Sequence, residues 1–130
     1  MNKIILNNGM EMPQFGLGVF QIENGSLCEQ VVSEALTLGY RLIDTAAAYR
    51  NEKAVGAAIK KSGIPREEIF ITSKIWVQDF GYEKTKRAVE TALQNLDVEY
   101  IDLMLLHQQL SDYYGSWRAL QEYCHNGIIK

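Results

Sequence analysis

The sequence predicts an α/β protein in which four strand–helix units follow an N-terminal β-hairpin. Short apolar runs alternate with amphipathic segments four times along the 130 residues. Glycine, proline or asparagine marks several of the boundaries between these segments. Strands that alternate with helices in this way form right-handed βαβ units, and their strands therefore make a parallel sheet.

The hairpin is predicted over residues 3–12. Two short runs, KIIL and MEM, flank Asn7-Asn8-Gly9. An Asn-Gly pair between such runs favours a tight turn in which both central residues have positive φ. We therefore expect two antiparallel strands at this point of the chain.

Four strands and four helices follow, and several of them have a clear boundary signal. Ser26 is the predicted N-cap of the first helix, with Glu29 three residues later, and Gly39 ends that helix. Gly127 occupies a position that favours the C-terminal end of the fourth helix. The predicted strands cover residues 15–20, 40–44, 68–74 and 100–107, and the predicted helices cover residues 26–38, 52–61, 82–96 and 116–126.

The spacing of apolar residues indicates which helix faces are buried. These faces carry Ala54, Val55, Ala58 and Ile59 in the second helix, Val89, Ala92, Leu93 and Leu96 in the third, and Trp117, Leu120 and Cys124 in the fourth. After the fourth helix, residues 128–130 have the pattern of the start of a fifth strand.

Two architectures fit four βα units: an open doubly wound sheet, or part of a (β/α)8 barrel. The segment GLGVFQ at residues 16–21 lacks the third glycine of a dinucleotide-binding fingerprint and leads into a polar loop, which argues against a Rossmann domain. Asp44 and Lys74 are 30 residues apart, and Lys74 and His107 are 33 apart. Eight units of this length would fill the roughly 250 residues of a barrel. The spacing therefore favours half of a (β/α)8 barrel.

Composition excludes several classes of protein. An apolar fraction of 47% and a charged fraction of 22% are typical of a soluble globular domain. A net charge of -3 argues against nucleic-acid binding. Two cysteines, Cys28 and Cys124, are too few for a disulfide framework. The first twenty residues have the pattern of neither a signal peptide nor a membrane span. We therefore expect a cytoplasmic protein with no nucleic-acid or membrane partner.

Proton-handling side chains end three successive predicted strands. These residues are Asp44, Lys74 and His107, and Tyr49 follows Asp44 by five residues. Because the carboxyl ends of parallel strands lie along one edge of a sheet, the four groups can converge there. A carboxylate, an ammonium, a phenol and an imidazole together can transfer a proton to an oxygen.

Each of these residues also has a structural interpretation. A strand-end aspartate can cap the next helix, a strand-end lysine can be solvated, and a histidine that closes an apolar strand can be buried and bonded. Spacing also does not rank Tyr49 above four equally available phenols. These are Tyr40, Tyr82, Tyr113 and Tyr114.

Three longer segments resemble the aldo-keto reductases. The first signature of that family is similar to GYRLIDTAAAYRNE at residues 39–52. The segment with the catalytic lysine of the family is similar to FITSKIW at residues 70–76, and its second signature is similar to LQNLDVEYIDLMLLH at residues 93–107. The matches occur in order, and the resemblance extends from the hairpin to residue 130.

The resemblance implies a (β/α)8 barrel and NADPH-dependent reduction of aldehydes and ketones to alcohols. The whole chain would be the N-terminal half of the barrel, with residues 1–14 as the hairpin that closes the barrel floor and residues 15–127 as four βα units. In the implied catalytic tetrad, Tyr49 is the general acid and Lys74 lowers the pKa of Tyr49. Asp44 pairs with Lys74, and His107 orients the substrate carbonyl. The reaction requires no metal.

The resemblance also implies the residues around the cofactor and the substrate. Gly18, Val19, Phe20 and Asp44 would lie near the nicotinamide, while Phe20 and Trp76 would line the substrate pocket. Phe20 stands where many members have tryptophan. Gln108-Gln109 replaces the Trp-Pro or Gln-Pro pair that usually follows the histidine. Both departures would change the shape of the pocket without altering the tetrad.

The matched segment covers half of the implied barrel, and the main NADPH contacts of the family lie in the other half. We therefore expect this chain to be inactive alone. The alternative function is that of a non-catalytic half-barrel that self-associates. In a homodimer, the fourth strand of each copy would pair with the first strand of the other, and the two open sheet edges would then be closed.

Overall fold

The computed structural model describes residues 2–23 and 25–130, which form a hairpin and then parallel strands alternating with helices. The hairpin strands are β1 (Lys3–Ile5) and β2 (Glu11–Pro13). The parallel strands are β3 (Leu17–Gly18), β4 (Leu42–Asp44), β5 (Phe70–Ile75) and β6 (Leu103–Leu106). The helices are α1 (Ser26–Thr37), α2 (Glu52–Ser62), α3 (Tyr82–Leu96) and α4 (Tyr113–His125). None of these described helices combines the length and the apolar character needed to cross a bilayer.

The predicted hairpin is confirmed, although its turn differs from the predicted one. β1 and β2 pair antiparallel, and the Leu6 N–H donates to the Met10 carbonyl at 2.8 Å. Of the three loop residues, all of which are described, Gly9 has a positive φ (86°) and Asn7 and Asn8 do not. The loop is therefore a three-residue turn with glycine in the left-handed position, rather than a two-residue turn with two positive φ angles.

The four later strands form a parallel sheet in the order β3-β4-β5-β6, as predicted. Gly18 lies opposite Asp44, and Asp44 lies opposite Thr72. Further along β5, Lys74 lies opposite Leu105. Since the strands run in the same direction, their carboxyl ends lie along one edge of the sheet.

The last residues of the chain extend the sheet next to β6. Ile129 forms a parallel bridge with Ile101, and the Ile101 N–H donates to the Ile128 carbonyl at 3.0 Å. Asn8 Nδ2, in the hairpin loop, donates to the Lys130 carbonyl at 3.0 Å. The predicted fifth strand therefore begins here and contacts the hairpin.

The hydrophobic core joins the sheet to the helices. Ile43 and Ile71 of the strands and Val32, Val55 and Val89 of the helices are all fully buried in one cluster. Burying a side chain of this size contributes about 1.5–3 kcal/mol. This core fixes the strands whose ends form the site.

Helices α2 and α3 pack closely at Gly56. A Cβ added to Gly56 would lie 2.3 Å from the Leu96 carbonyl oxygen. Glycine is therefore required for this approach. Both helices bury their predicted faces, except that Leu93 is only half-buried.

Helix α1 does not begin as predicted. Gly25 is its N-cap, with a φ of 104°, and no side chain of the described residues caps this end of the helix. Ser26 is instead the first helical residue, and the Glu29 N–H donates to the Gly25 carbonyl at 3.1 Å. The predicted capping box is therefore absent from this end, whereas Gly39 (φ 98°) follows the helix as predicted.

Helix α4 begins three residues before its predicted start. Asp112 is its N-cap and accepts the Gly115 N–H at 2.9 Å. The predicted inner face is wrong at two of its three residues, because Trp117 is 55% exposed and Cys124 is exposed, whereas Leu120 is buried as predicted. The face that is buried carries Gly115, Ser116, Ala119, Leu120 and Tyr123.

Candidate active site

Three of the candidate site residues lie where parallel strands end. Asp44 is the last residue of β4, Lys74 precedes the last residue of β5, and His107 directly follows β6. The His107 N–H donates to the Ile75 carbonyl at 3.0 Å, which continues the pairing of β5 with β6. The sheet therefore carries all three side chains to the same edge.

Lys74 is the centre of a hydrogen-bonded group. Its Nζ donates to Asp44 Oδ1 at 2.6 Å, to the Thr45 carbonyl at 2.9 Å and to Tyr49 Oη at 3.3 Å. The Lys74 side chain is 12% exposed and the Asp44 side chain is 33% exposed. Because an ammonium has three hydrogens, these three acceptors hold Nζ at one point.

Tyr49 reaches Lys74 because the chain turns sharply after β4. Ala47–Tyr49 forms a 3-10 turn, and Arg50 ends it with a φ of 58°. Left-handed backbone is uncommon for a residue other than glycine. Since Lys74 donates to the Tyr49 oxygen, the phenol hydrogen is free to point at another acceptor.

The other phenols that spacing left open have neighbours elsewhere in the structure. These neighbours are Phe15 for Tyr40, Glu122 for Tyr82, and the stacked partner ring for each of Tyr113 and Tyr114. The contact with Lys74 Nζ therefore distinguishes Tyr49 from them.

His107 lies beside Tyr49 and is neutral at pH 7. Its ring meets Tyr49 edge-on at 5.7 Å and Trp76 edge-on at 5.2 Å between centroids. Burial lowers the pKa of His107 below its ordinary value of 6.5; the Lys74 charge lowers this pKa further, and Asp44 opposes the shift. Nδ1 is buried without a hydrogen-bond partner among the described residues. Because unpaired buried N–H groups are rarer than unpaired acceptors, we place the ring hydrogen on Nε2.

We expect the two charged neighbours of His107 to shift its pKa in opposite directions. Lys74→Met should raise the pKa of His107, because it removes a positive charge that disfavours the imidazolium. Asp44→Asn should lower this pKa, because it removes a favourable negative charge. NMR titration of the imidazole nitrogens, assigned with His107→Gln, measures both shifts.

Protonation of His107 also makes the stability of the fold depend on pH. The folded pKa of His107 lies below the unfolded value, so the unfolded chain binds the proton first as the pH falls. The contribution of this group to stability is therefore present above about pH 6.5, the unperturbed histidine pKa, and is lost as the pH falls toward the folded pKa. A folded midpoint at or above 6.5 would contradict the effect of burial.

Gly18, at the end of β3, and the two residues that follow it border the opening of the site. Gly18 is exposed, and a Cβ added there would meet no atom within 4 Å. Phe20 is 64% exposed, and its ring lies 5.0 Å from that of Tyr49 between centroids. Val19 is fully buried, its N–H donates to the Asp44 carbonyl, and its own carbonyl accepts from a side chain. Val19 is therefore packed beneath the opening of the site, while Gly18 and Phe20 are exposed at it.

Two buried polar residues at the site were not predicted from the sequence. Thr45 and Asn51 are both fully buried, and Thr45 Oγ1 donates to Asn51 Oδ1 at 2.7 Å. The Thr45 carbonyl is also one of the three acceptors around Lys74. Their location in the segment 39–52 was the available signal, because residue type alone does not show that a threonine or an asparagine is buried.

Comparison with known proteins identifies the family. The model of the Aldo/keto reductase family matches residues 15–130. The chain belongs to this family. The glyoxal reductase of Bacillus subtilis (strain 168) is 52% identical to it over 126 residues, which are 96% of this chain and 46% of the relative. This aldo/keto reductase chain thus spans about half the length of the curated relatives it matches.

Solved aldo-keto reductases show the same architecture. The structure of the Brucella melitensis aldo/keto reductase matches with a TM-score of 0.95 at 44% identity, over 98% of this chain and 50% of that chain. The Bombyx mori aldo-keto reductase in complex with NADP matches with a TM-score of 0.89 at 33% identity, over 98% of this chain and 48% of that chain. The prediction of half a (β/α)8 barrel with an N-terminal hairpin is confirmed.

Proposed function

We propose that this chain carries the proton-transfer side of an NADPH-dependent carbonyl reductase, which reduces small aldehydes and ketones to alcohols. The observation that carries the proposal is the position of Lys74 Nζ, which contacts Asp44 and Tyr49 at once. An ammonium so placed stabilises the phenolate that Tyr49 becomes when it gives up its proton. The name of the Bacillus subtilis relative, glyoxal reductase, supports a reactive aldehyde as the substrate.

Tyr49 is the proposed general acid. Its oxygen accepts a hydrogen bond from Lys74 Nζ, and its hydroxyl hydrogen is free to move to the carbonyl oxygen of the substrate. Neutral His107 donates a second hydrogen bond from Nε2 to that oxygen, which stabilises the negative charge that develops there. Asp44 keeps the ammonium in place during the transfer.

Gly18, Phe20 and Asp44 are the proposed contacts for the nicotinamide end of NADPH. Gly18 pairs with Asp44 in the sheet, and the space in front of Gly18 is open. A flat ring can therefore approach the carboxyl end of β4 at this point, with buried Val19 supporting the backbone. When bound, NADPH supplies the hydride that adds to the carbonyl carbon.

We infer that the chain by itself is inactive and that it self-associates. Its described residues offer contacts to one end of a dinucleotide, and it covers 46% of the glyoxal reductase. Leu105, which lies opposite Lys74 in the sheet, is 39% exposed. A second copy that pairs the edge of its β3 with Leu103–Leu106, beyond the bridge between Ile101 and Ile129, would cover this side chain.

The test of the proposed function is a chimera in which this chain replaces the matching part of the Bacillus subtilis glyoxal reductase. We expect the chimera to oxidise NADPH in the presence of glyoxal, as followed by the loss of NADPH absorbance. A folded chimera that binds NADPH but reduces no member of a panel of small aldehydes and ketones would contradict the assignment.

The chain alone is the control for the chimera. Titration with NADPH, followed by nucleotide fluorescence, should show no saturable binding in the micromolar range. Sedimentation velocity of the same sample should show a dimer. Micromolar NADPH binding would overturn the expected inactivity, and a folded monomer would overturn the self-association.

A further inference from the structure

We propose that Asn51 is a positioning residue that holds the turn after β3, and with it the ring of Phe20, against Tyr49. The inference rests on the proposed reductase site, because it makes Phe20 the wall beside the general acid.

The carboxamide of Asn51 joins two loops inside the protein. Asn51 is fully buried, and its Nδ2 donates to the Val19 carbonyl at 2.9 Å and to the Ile22 carbonyl at 3.0 Å. Its Oδ1 accepts from Thr45 Oγ1 at 2.7 Å. Both donor hydrogens of the amide are therefore used on the turn after β3, and its oxygen is tied to the residue after β4.

Asn51 is also the N-cap residue of α2, but its side chain does not cap the helix. Its carbonyl accepts the N–H groups of Ala54 and Val55, each at 3.1 Å, while no side-chain cap bond forms. Asparagine at this position usually satisfies a backbone N–H of the first helical turn. Here the side chain points away from the helix and bonds to the loops instead, so its role is not to start α2.

The turn that Asn51 holds is strained. The Ile22 N–H donates to the Val19 carbonyl at 3.2 Å, and between them Gln21 has a φ of 61°. A non-glycine residue stays in the left-handed region only where surrounding contacts hold it there. The two Asn51 donors contact both ends of this turn, at Val19 and at Ile22, and therefore keep it closed.

Phe20 depends on the turn for its position. Its ring is 5.0 Å from the Tyr49 ring, yet the residue is 64% exposed, so core packing does not hold it. The backbone of the turn must therefore place the ring. Thr45 connects Asn51 to the ammonium beside Tyr49. Its hydroxyl donates to Asn51 Oδ1, and its carbonyl accepts from Lys74 Nζ.

The experiment uses NMR of the 130-residue chain with labelled aromatic rings. Asn51→Asp keeps the shape of the side chain and its acceptor, but it places a carboxylate oxygen against the Val19 and Ile22 carbonyls. We expect the nuclear Overhauser cross-peaks between the Phe20 and Tyr49 rings to be lost, while the amide spectrum of α3 and α4 is retained. This measurement needs neither NADPH nor turnover, so its failure is distinct from failure of the proposed reductase function.

Asn95→Asp is the matched control. Asn95 Nδ2 donates to Glu52 Oε2 at 3.1 Å, so the same substitution breaks an amide contact that does not involve the turn. We expect this variant to lose stability and to keep the Phe20–Tyr49 cross-peaks. Equal loss of the cross-peaks in both variants would overturn the proposal, because the effect would then be a general loosening of the fold.

Thr45 provides a second pair of variants should Asn51→Asp not fold. Thr45→Val removes the hydroxyl that holds Asn51 Oδ1, and Thr45→Ser keeps it. The cross-peaks should weaken in the valine variant and return in the serine variant. Full cross-peaks in folded Asn51→Asp or in Thr45→Val would overturn the positioning role of Asn51.

Discussion

Replacing Tyr49 with phenylalanine is expected to lower kcat of the glyoxal reductase chimera by roughly 10²- to 10⁴-fold, the contribution of a positioned general acid. The change removes one oxygen, which accepts from Lys74 Nζ at 3.3 Å. It keeps the ring that contacts Phe20 and His107. KM for the aldehyde and Kd for NADPH should therefore change much less than kcat, and steady-state kinetics with an NADPH titration separates these quantities.

Tyr82→Phe is the matched control for Tyr49→Phe. It removes the same atom from a phenol that donates to Glu122 and links α3 to α4. We expect kcat to be unchanged by this substitution. An unchanged kcat in Tyr49→Phe, or an equal loss in both variants, would show that the Tyr49 hydroxyl is not the acid.

The fold was most predictable where helices have a strong repeat and clear ends. Helix α3 has the predicted bounds, because Val89, Ala92 and Leu96 repeat on one face and Gly81 precedes the first turn. The start of α4 was missed because it depends on a hydrogen bond from the Gly115 N–H to the Asp112 side chain, ahead of any apolar repeat. Local hydrogen bonds of this kind are not visible in residue periodicity.

The site was predictable to the extent that topology alone creates it. Parallel strands bring Asp44, Lys74 and His107 to one edge whatever their separation in sequence. The position of Tyr49 depends instead on a short 3-10 turn that ends with Arg50 in left-handed backbone. Arginine rarely adopts that conformation, so residue type could not rank this phenol above the others.

The buried hydrogen bonds of Thr45 and Asn51 were the least predictable part of the site. Asn51 precedes a helix, and from residue type alone it would be assigned as a helix cap. Its tertiary bonds to two strand-end loops override that local preference. Such a role can be recognised only when the distance in space between two segments is known, and these segments lie about thirty residues apart in the sequence.

Lys74→Met is expected to affect both stability and catalysis. It leaves the Asp44 carboxylate and the Thr45 carbonyl without their donor. Breaking a fully buried ion pair costs about 3–5 kcal/mol, and because Asp44 is one-third exposed we expect a loss of about 1–3 kcal/mol in the free energy of unfolding. Urea denaturation of the chain measures this loss. In the chimera, kcat should fall by roughly 10²-fold or more, since nothing then stabilises the Tyr49 phenolate.

Adding Asp44→Asn to Lys74→Met separates the two effects. The second substitution removes the unpaired charge, so the double variant should recover part of the stability that Lys74→Met loses. It returns no positive charge to Tyr49, so kcat should stay as low as in Lys74→Met. If kcat recovered together with stability, Lys74 would act through folding alone. The proton-transfer role proposed for the contact of Lys74 with Asp44 and Tyr49 would then be wrong. Recovery of stability without recovery of kcat, with the Kd for NADPH unchanged, supports a direct action of the ammonium on the phenol.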